Sequence, residues 1–320
     1  MSEANQKQEA TWERRIIEQL ATDALKEKKR ARRWSVFFKT LTFVYITAVI
    51  LLWLPDSIDI KSIEKAKSHT ALVELDDVIA AKDGVDAETI VEGLRDAFED
   101  KKTKAVILRI NSPGGSPVQS SYIQKEIVRL RAKHKDIPLY AVVTDICASG
   151  GYYVASAADK IFVNESSLVG SIGVLMNGFG FTEAMQELGI ERRLLTAGDH
   201  KGILDPFSPL TDFDREHAKE MLDALHKTFI DTVKAGRGDR LADDEMLFSG
   251  LFWSGQRSIE LGLADEIGSA SYVAREIVGE KTIVDFTPKQ DPIERLVERI
   301  GASAASSFAK ITGLVSQPRF

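Results

Sequence analysis

The stretch KAVILRINSPGG, residues 104–115, decides how this chain folds. Residues 104–110 form an apolar run broken only by charged residues at positions 104 and 109, which is typical of a strand buried in a sheet. The proline and the paired glycines of residues 111–115 then predict a tight turn. Residues 118–132 follow with a helical pattern. A strand, a glycine turn and a helix in this order are the repeating unit of an α/β domain.

The same alternation extends to both sides of this stretch. Upstream, the pattern predicts a strand at residues 70–80 and a helix at residues 87–98. Downstream, it predicts a strand at 138–144, a helix at 150–158 and a strand at 160–163. We therefore expect a largely parallel sheet covered by helices.

Later residues predict three further elements and one long helix. Strands are expected at 170–176 and 192–196, with a helix at 182–188 between them. An amphipathic pattern then runs over residues 214–235. Its apolar stripe, which is most simply core packing, consists of Phe213, His217, Met221, Leu225, Phe229 and Val233.

The bulk composition narrows the possible classes of protein. The chain has 320 residues, 44% of them hydrophobic and 28% charged, which is ordinary for a folded protein. The net charge of −6 and the mixing of basic with acidic residues argue against a nucleic-acid partner. Cys147 is the only cysteine, so an intrachain disulfide is impossible; we expect a buried thiol at a strand end.

An apolar run near the N-terminus predicts a membrane anchor. Residues 34–54 are apolar or small apart from Lys39, and about 20 such residues cross the hydrocarbon core as a helix. Residues 26–33, before the run, are strongly basic, which places residues 1–33 in the cytoplasm by the positive-inside rule. A cleaved signal peptide and a buried core helix are the alternatives. We favour an uncleaved single-pass anchor in the cytoplasmic membrane, with all later residues on the outer, periplasmic side.

The rest of the chain divides into three parts. Residues 55–68 form a polar tether, and residues 69–286 form the folded domain. Pro288 and Pro292 mark a boundary, after which residues 287–320 are expected to form an amphipathic helix and tail. This helix would dock on the domain or on a neighbouring subunit.

A serine on a glycine bend is the strongest candidate for chemistry. Ser149 lies in the run Ala148-Ser149-Gly150-Gly151-Tyr152-Tyr153, between a predicted strand and a predicted helix. By itself the serine is explained as an ordinary helix N-cap. The glycine turn at residues 111–115 changes that interpretation, because two backbone loops can then converge around one hydroxyl as an oxyanion hole.

A serine nucleophile needs a base, and the histidines offer no convincing one. They are His69, His134, His200, His217 and His226. Only His200 stands in a loop with glycine and charge nearby, and its neighbour Lys201 is an alternative base. Composition alone would make Lys201 a solvent-exposed, inert side chain.

Four motifs in order resemble the signal peptide peptidase A family in its short form, which is peptidase family S49 of the ClpP/crotonase superfamily. They are residues 111–115, residues 148–153, the run Val169-Gly170-Ser171-Ile172-Gly173-Val174, and the Gly-x-x-Lys-x-x-x-x-Pro-like run at residues 198–206. The resemblance covers roughly residues 70–285. It implies a ClpP/crotonase-like α/β fold with repeated β-β-α units, here behind a single N-terminal transmembrane helix.

The resemblance also implies a role for each site residue. Ser149 would be the nucleophile and Lys201 the general base of a Ser-Lys dyad, and Ser171 would be an accessory hydroxyl that holds the lysine amine. The N–H groups of Gly114 and Gly150 would form the oxyanion hole. No cofactor or metal is expected. Lys201 must be neutral to accept a proton, so it needs a dry pocket, which the apolar residues at 203, 204 and 207 would supply.

The expected function is that of a membrane-anchored serine endopeptidase that degrades hydrophobic peptides such as cleaved signal peptides. The family also implies a homo-oligomeric ring that encloses the active sites. Three alternatives stay open. They are a related protease that processes a stomatin-like membrane partner, a crotonase-like domain that binds acyl thioesters, and a non-catalytic membrane scaffold.

Overall fold

The computed structural model describes residue 22, residues 26–49 and residues 67–288. The chain divides into two compact units, Met1–Ile63 and Glu64–Phe320. In the first unit, residues 26–49 form helix α1, on which Trp34 stacks against Phe38. Within the described residues, no helix combines the length and the hydrophobicity that a membrane span requires. The end of the predicted anchor at 50–54, most of the tether, and the predicted terminal helix lie outside the described residues.

The second unit is built on one mixed sheet. Its described strands are β1 (His69–Asp76), β2 (Thr103–Ser112), β3 (Leu139–Ala148), β4 (Lys160–Val163), β5 (Leu168–Gly170), β6 (Phe252–Ser254), β7 (Glu266–Ile267) and β8 (Ile283–Asp285). Its described helices are α2 (Ala87–Glu99), α3 (Pro117–Lys133), α4 (Gly150–Ala155), α5 (Thr182–Glu187), α6 (Asp212–Arg237), α7 (Gly255–Glu260) and α8 (Ala270–Tyr272), which continues into a π-helix at Val273–Val278.

The strands follow the order β6-β5-β3-β2-β1-β8, and β4 pairs with β3 and β7. Every pair is parallel except β5 with β6. Strand β3 is long enough to pair with β4 through its first half and with β5 through its second half. The mixed α/β fold with a parallel-rich sheet that the sequence predicts is therefore present.

The central strands form because both of their faces are buried. On one face, side chains of β1 and β2 such as Val73 and Leu108 pack against the apolar stripes of α2 and α3. On the other face, Leu72 and Ile107 join a smaller cluster with the π-helix. Strands buried on both faces need continuous apolar runs, which is the pattern that residues 104–110 show.

Two predicted strands do not form. Residues 170–176 and 192–196 were expected in the sheet, but β5 ends at Gly170 and the other segment has no regular structure. At Ser171 the chain turns through a positive φ of 52° and leaves the sheet edge. A strand needs a partner for its N–H and C=O groups, and no strand among the described residues offers one there. The predicted helix at 182–188 is present as α5.

The stripe of the long helix α6 is only half in the core. Phe229 and Val233 are buried, as predicted. Phe213, Met221 and Leu225 are 48%, 40% and 42% exposed, so the prediction of core packing is wrong for the first half of the helix. The helix begins with a capping box between Thr211 and Asp214, which forms from local contacts alone. Its first turns therefore need no core beneath them.

Candidate active site

Ser149 lies where β3 ends and α4 begins, at the carboxyl edge of the parallel sheet. Its backbone has φ 51° and ψ −120°, a conformation that residues with a side chain rarely adopt. Two hydrogen bonds hold it there, because its N–H donates to Gly170 O at 2.8 Å and its carbonyl accepts from Tyr153 N–H at 2.9 Å. Strain of this kind is stable only when the surroundings fix it, and it is concentrated at functional sites. The side chain is partly exposed, so its hydroxyl can be reached.

The glycine turn after β2 packs directly on Ser149. A methyl group on Gly114 would lie 2.6 Å from Gly150 N and 2.7 Å from Ser149 Cβ, so only glycine fits there. One on Gly150 would lie 2.4 Å from the hydroxyl of the buried Ser120. The two loops that the sequence predicts to converge are therefore in contact.

The N–H groups of this junction differ in what they bond. Gly114 N–H donates to the hydroxyl oxygen of the buried Ser112 at 3.1 Å. In residues 67–288, no hydrogen bond uses the N–H of Gly115 or Gly150. Gly115 N lies 3.2 Å from the position of a Cβ on Gly150, so the two glycines pack against each other. Two free donors beside a serine can stabilise an oxyanion.

Ser171 lies one residue beyond the end of β5, next to Gly170, which is the β5 partner of Ala148. Its N–H donates to Leu251 O at 2.7 Å, and its carbonyl accepts from Gly173 N–H at 2.9 Å. The following residue, Ile172, is buried, and its carbonyl is 3.0 Å from His226 Nε2 on α6. Sequence reasoning missed His226, because its spacing marks it only as one more residue of an amphipathic helix.

Lys201 lies in an exposed turn in which its N–H donates to Gly198 O at 3.2 Å. Among the described residues, no hydrogen bond or ion pair of its ammonium group is present, and none joins it to Ser149. Leu204 and Phe207 beside it are 39% and 40% exposed. His200 stacks on Phe213 at 4.1 Å between ring centroids. The structure therefore brings together Ser149, Gly114, Gly150 and the segment of Gly170 and Ser171, but it does not bring Lys201 to them.

Two other groups near the serine have no nucleophilic role. Cys147 is fully buried, and burial raises the pKa of its thiol far above the usual range, which keeps it protonated. Tyr152 is also fully buried, and its hydroxyl donates to Leu263 O at 2.8 Å. In the part of the chain that the structure describes, no group of three or more His, Cys, Asp or Glu side chains is placed to hold a metal ion.

Comparison with known proteins indicates a family of peptidases. The family model described as Peptidase family S49 matches residues 131–283. A Synechocystis protein named "Putative protease slr0021" is 30% identical over 222 residues, which cover 68% of this chain and 79% of that protein. The "Putative signal peptide peptidase SppA" of Enterococcus faecium is 31% identical over 194 residues, which cover 61% of this chain and 56% of that protein.

A longer relative carries a different name. The "Na(+)/H(+) antiporter NhaA" of Brucella melitensis is 43% identical over 214 residues, which cover 67% of this chain but only 29% of that protein. An antiporter name given to the whole Brucella protein need not describe the segment that matches. The match to the family model and to the Synechocystis protease, which this chain covers over most of its length, decides the assignment: the chain belongs to peptidase family S49.

Proposed function

We propose that this protein is a serine endopeptidase with a ClpP/crotonase-like fold and a dyad of Ser149 and Lys201. The observation that carries the proposal is the strained serine on a glycine bend beside the N–H groups of Gly150 and Gly115, neither of which has an acceptor among the described residues. Strain at one serine with free donors next to it is the arrangement that acyl transfer needs.

The chemistry proceeds in two steps. Ser149 Oγ attacks the carbonyl carbon of the scissile peptide bond while Lys201 Nζ takes the hydroxyl proton. The negative charge that develops on the carbonyl oxygen is held by Gly150 N–H, and by Gly114 N–H once this group turns away from Ser112. Lys201 then gives its proton to the leaving amine, which leaves an ester on Ser149. A water molecule, deprotonated by Lys201, hydrolyses the ester and restores the hydroxyl.

An extended peptide fits the edge beside Gly115. Ile79 N–H donates to Gly114 O, and Ser116 N–H donates to Ile79 O, so one side of this stretch is already paired. Backbone groups alternate in direction along an extended chain, so Gly115, which is exposed, directs its own N–H to the other side. A substrate strand paired there would pass Ser149, as in β-strand addition. Hydrophobic peptides, such as the remnants of cleaved signal peptides, are the proposed substrates.

The location and assembly of the protein complete the proposal. We place the enzyme in the cytoplasmic membrane, held by residues 34–54 with the protease domain on the periplasmic side. We also propose a homo-oligomeric ring. Its basis is that no residue of the described segment 173–228 is buried, although many of its side chains are apolar. Packing of subunits against this exposed apolar surface would remove water from Lys201, which a neutral lysine requires.

The test uses the full chain purified in mild detergent and a leucine-rich peptide with a quenched fluorophore. We expect hydrolysis by the wild type and its loss in both Ser149→Ala and Lys201→Ala. Ser166→Ala and Lys219→Ala, exposed residues of the same types, are the matched controls and should keep wild-type activity. A fluorophosphonate should label the wild type at Ser149. Equal activity in all variants would exclude the dyad, and acyl-thioester binding without hydrolysis would favour the crotonase-like alternative.

A further inference from the structure

His226 makes a long-range contact with the loop that carries Ser171. Its Nε2 atom lies 3.0 Å from the carbonyl oxygen of Ile172. A carbonyl oxygen only accepts hydrogen bonds, so Nε2 carries a proton and the ring donates it. The imidazole is therefore hydrogen-bonded to the backbone through this atom, so His226 can influence the site without acting as a base.

The bonded carbonyl belongs to Ile172, the residue that directly follows Ser171. Ser171 has a positive φ of 52°, a conformation that a residue with a side chain keeps only where its surroundings hold it. Leu251 O holds the residue from one side by accepting its N–H at 2.7 Å. His226, which lies on α6, holds the carbonyl group of the next residue, Ile172. Together these two contacts fix the direction in which the Ser171 hydroxyl leaves the backbone.

Helix α6 is in turn fixed to the helix that follows Ser149. Phe229 packs against Tyr153 of α4 with 5.1 Å between ring centroids. Thr232 donates a hydrogen bond to the Tyr153 hydroxyl at 3.0 Å. His226, Phe229 and Thr232 therefore connect the Ser171 loop to α4 through a single helix, one and two turns apart.

We propose that His226 is a positioning residue that sets the place of Ser171 relative to Ser149. The proposal rests on the Ser-Lys endopeptidase function above, in which Ser171 holds the amine of the base. A misplaced Ser171 would impair proton transfer in the acylation step and leave peptide binding intact. The effect of losing the His226 contact should therefore fall on kcat and not on KM.

The experiment compares His226→Leu with His226→Gln in the full chain. Leucine keeps the bulk of the side chain but has no donor, whereas the glutamine Nε2 donor can replace that of histidine. We expect His226→Leu to lower kcat by about ten- to a hundredfold with KM unchanged, as for other displaced catalytic groups. His226→Gln should recover most of that loss. Asp231→Leu, an exposed residue of the same helix whose carboxylate pairs with Lys227, is the matched control and should behave as the wild type.

Thermal unfolding of each variant separates positioning from folding. If His226→Leu and His226→Gln have the same melting temperature but differ in kcat, the donor itself matters and the proposal holds. Wild-type kcat in a folded His226→Leu variant would overturn it, and so would a loss of kcat that glutamine does not recover. A failure of the endopeptidase proposal would be seen separately, because the wild type would then hydrolyse no peptide and Ser149→Ala would change nothing.

Discussion

The serine side and the lysine side of the proposed site are built in opposite ways. Around Ser149, the backbone of Gly114, Gly150 and Gly170 is buried and close-packed. Around Lys201, in the outer segment (residues 174–211), no residue is buried. Its exposed large apolar side chains are Leu175, Met176, Phe179, Phe181, Leu188, Ile190, Leu194, Leu195, Leu204, Phe207 and Leu210.

The difference follows from what each half of the chemistry requires. An oxyanion hole needs only fixed backbone N–H groups, and a single chain can fix them by packing loop on loop. A neutral lysine needs removal from water, which an exposed turn cannot supply. An apolar surface of this extent is typical of one that another protein surface covers. The comparison therefore predicts that changes on the serine side act within one chain, whereas changes on the lysine side act through assembly.

The largest expected effect comes from adding one methyl group on the serine side, with the same addition in the outer segment as its control. In Gly114→Ala, the new Cβ would meet Gly150 N at 2.6 Å, and the residue would keep an unfavourable φ of 102°. We expect kcat/KM to fall by about 10²–10³-fold, the range for loss of an oxyanion donor. Gly178→Ala, where nothing lies within 4 Å, is the matched control in the outer segment. Peptide hydrolysis measures both, and an equal loss in Gly178→Ala would mean that the outer segment is as closely packed as the serine side.

The two halves of α6 give the next test, through stability. Phe229→Ala removes a ring that is 5% exposed and should lower the free energy of unfolding by about 3–5 kcal/mol. Met221→Ala lies on the same stripe but is 40% exposed, so the change should be within about 0.5 kcal/mol. Urea denaturation of the full chain at low protein concentration measures both.

The oligomeric state of the protein tests the first half of the same helix in a second way. If subunits cover the first half of α6, Met221→Asp should shift the sedimentation of the protein toward smaller species, while its unfolding at low concentration stays that of the wild type. A large loss of stability in Met221→Ala under dissociating conditions would contradict the comparison, because it would show that this half of the helix packs within its own chain.

The sequence predicts the serine side well and the lysine side poorly, for a physical reason. The conformation of the strand at 104–110 and of the glycine turn after it is determined locally, because an apolar run must be buried and Gly114 must approach Gly150 closely. The apolar spacing along α6 predicts that the stripe is covered, but not whether its own chain or another subunit covers it. Its first half has the same spacing as its second half, yet only Phe229 and Val233 are buried within the chain. The contact of His226 with Ile172 depends on tertiary packing that no local pattern encodes.

The smallest expected effect is an acid sensitivity confined to the packed part of the chain. Glu126 on α3 accepts hydrogen bonds from Arg129 at 2.7 and 2.8 Å and from Arg95 at 2.6 Å. The hydrogen bond from Arg129, with that of Arg95, lowers the pKa of this carboxyl from 4.5 to about 2. A lowered pKa in the folded state stabilises the protein above the unfolded value, and this contribution disappears as the pH falls from 4.5 to about 2.

Glu126→Gln should therefore be less stable than the wild type at neutral pH and approach it in acid. The expected difference is about 1–2 kcal/mol, since Arg95 and Arg129 are about half exposed and solvent screens their charges. Asp205→Asn is the control in the outer segment, where hydrogen bonds from Ser208 and Arg192 lower the pKa of the Asp205 carboxyl. We expect it to leave the pH dependence of global unfolding unchanged, because that segment contributes no buried residue to the core. A flattened stability profile in Asp205→Asn, measured by urea denaturation from pH 2 to 7, would show that the outer segment unfolds together with the sheet.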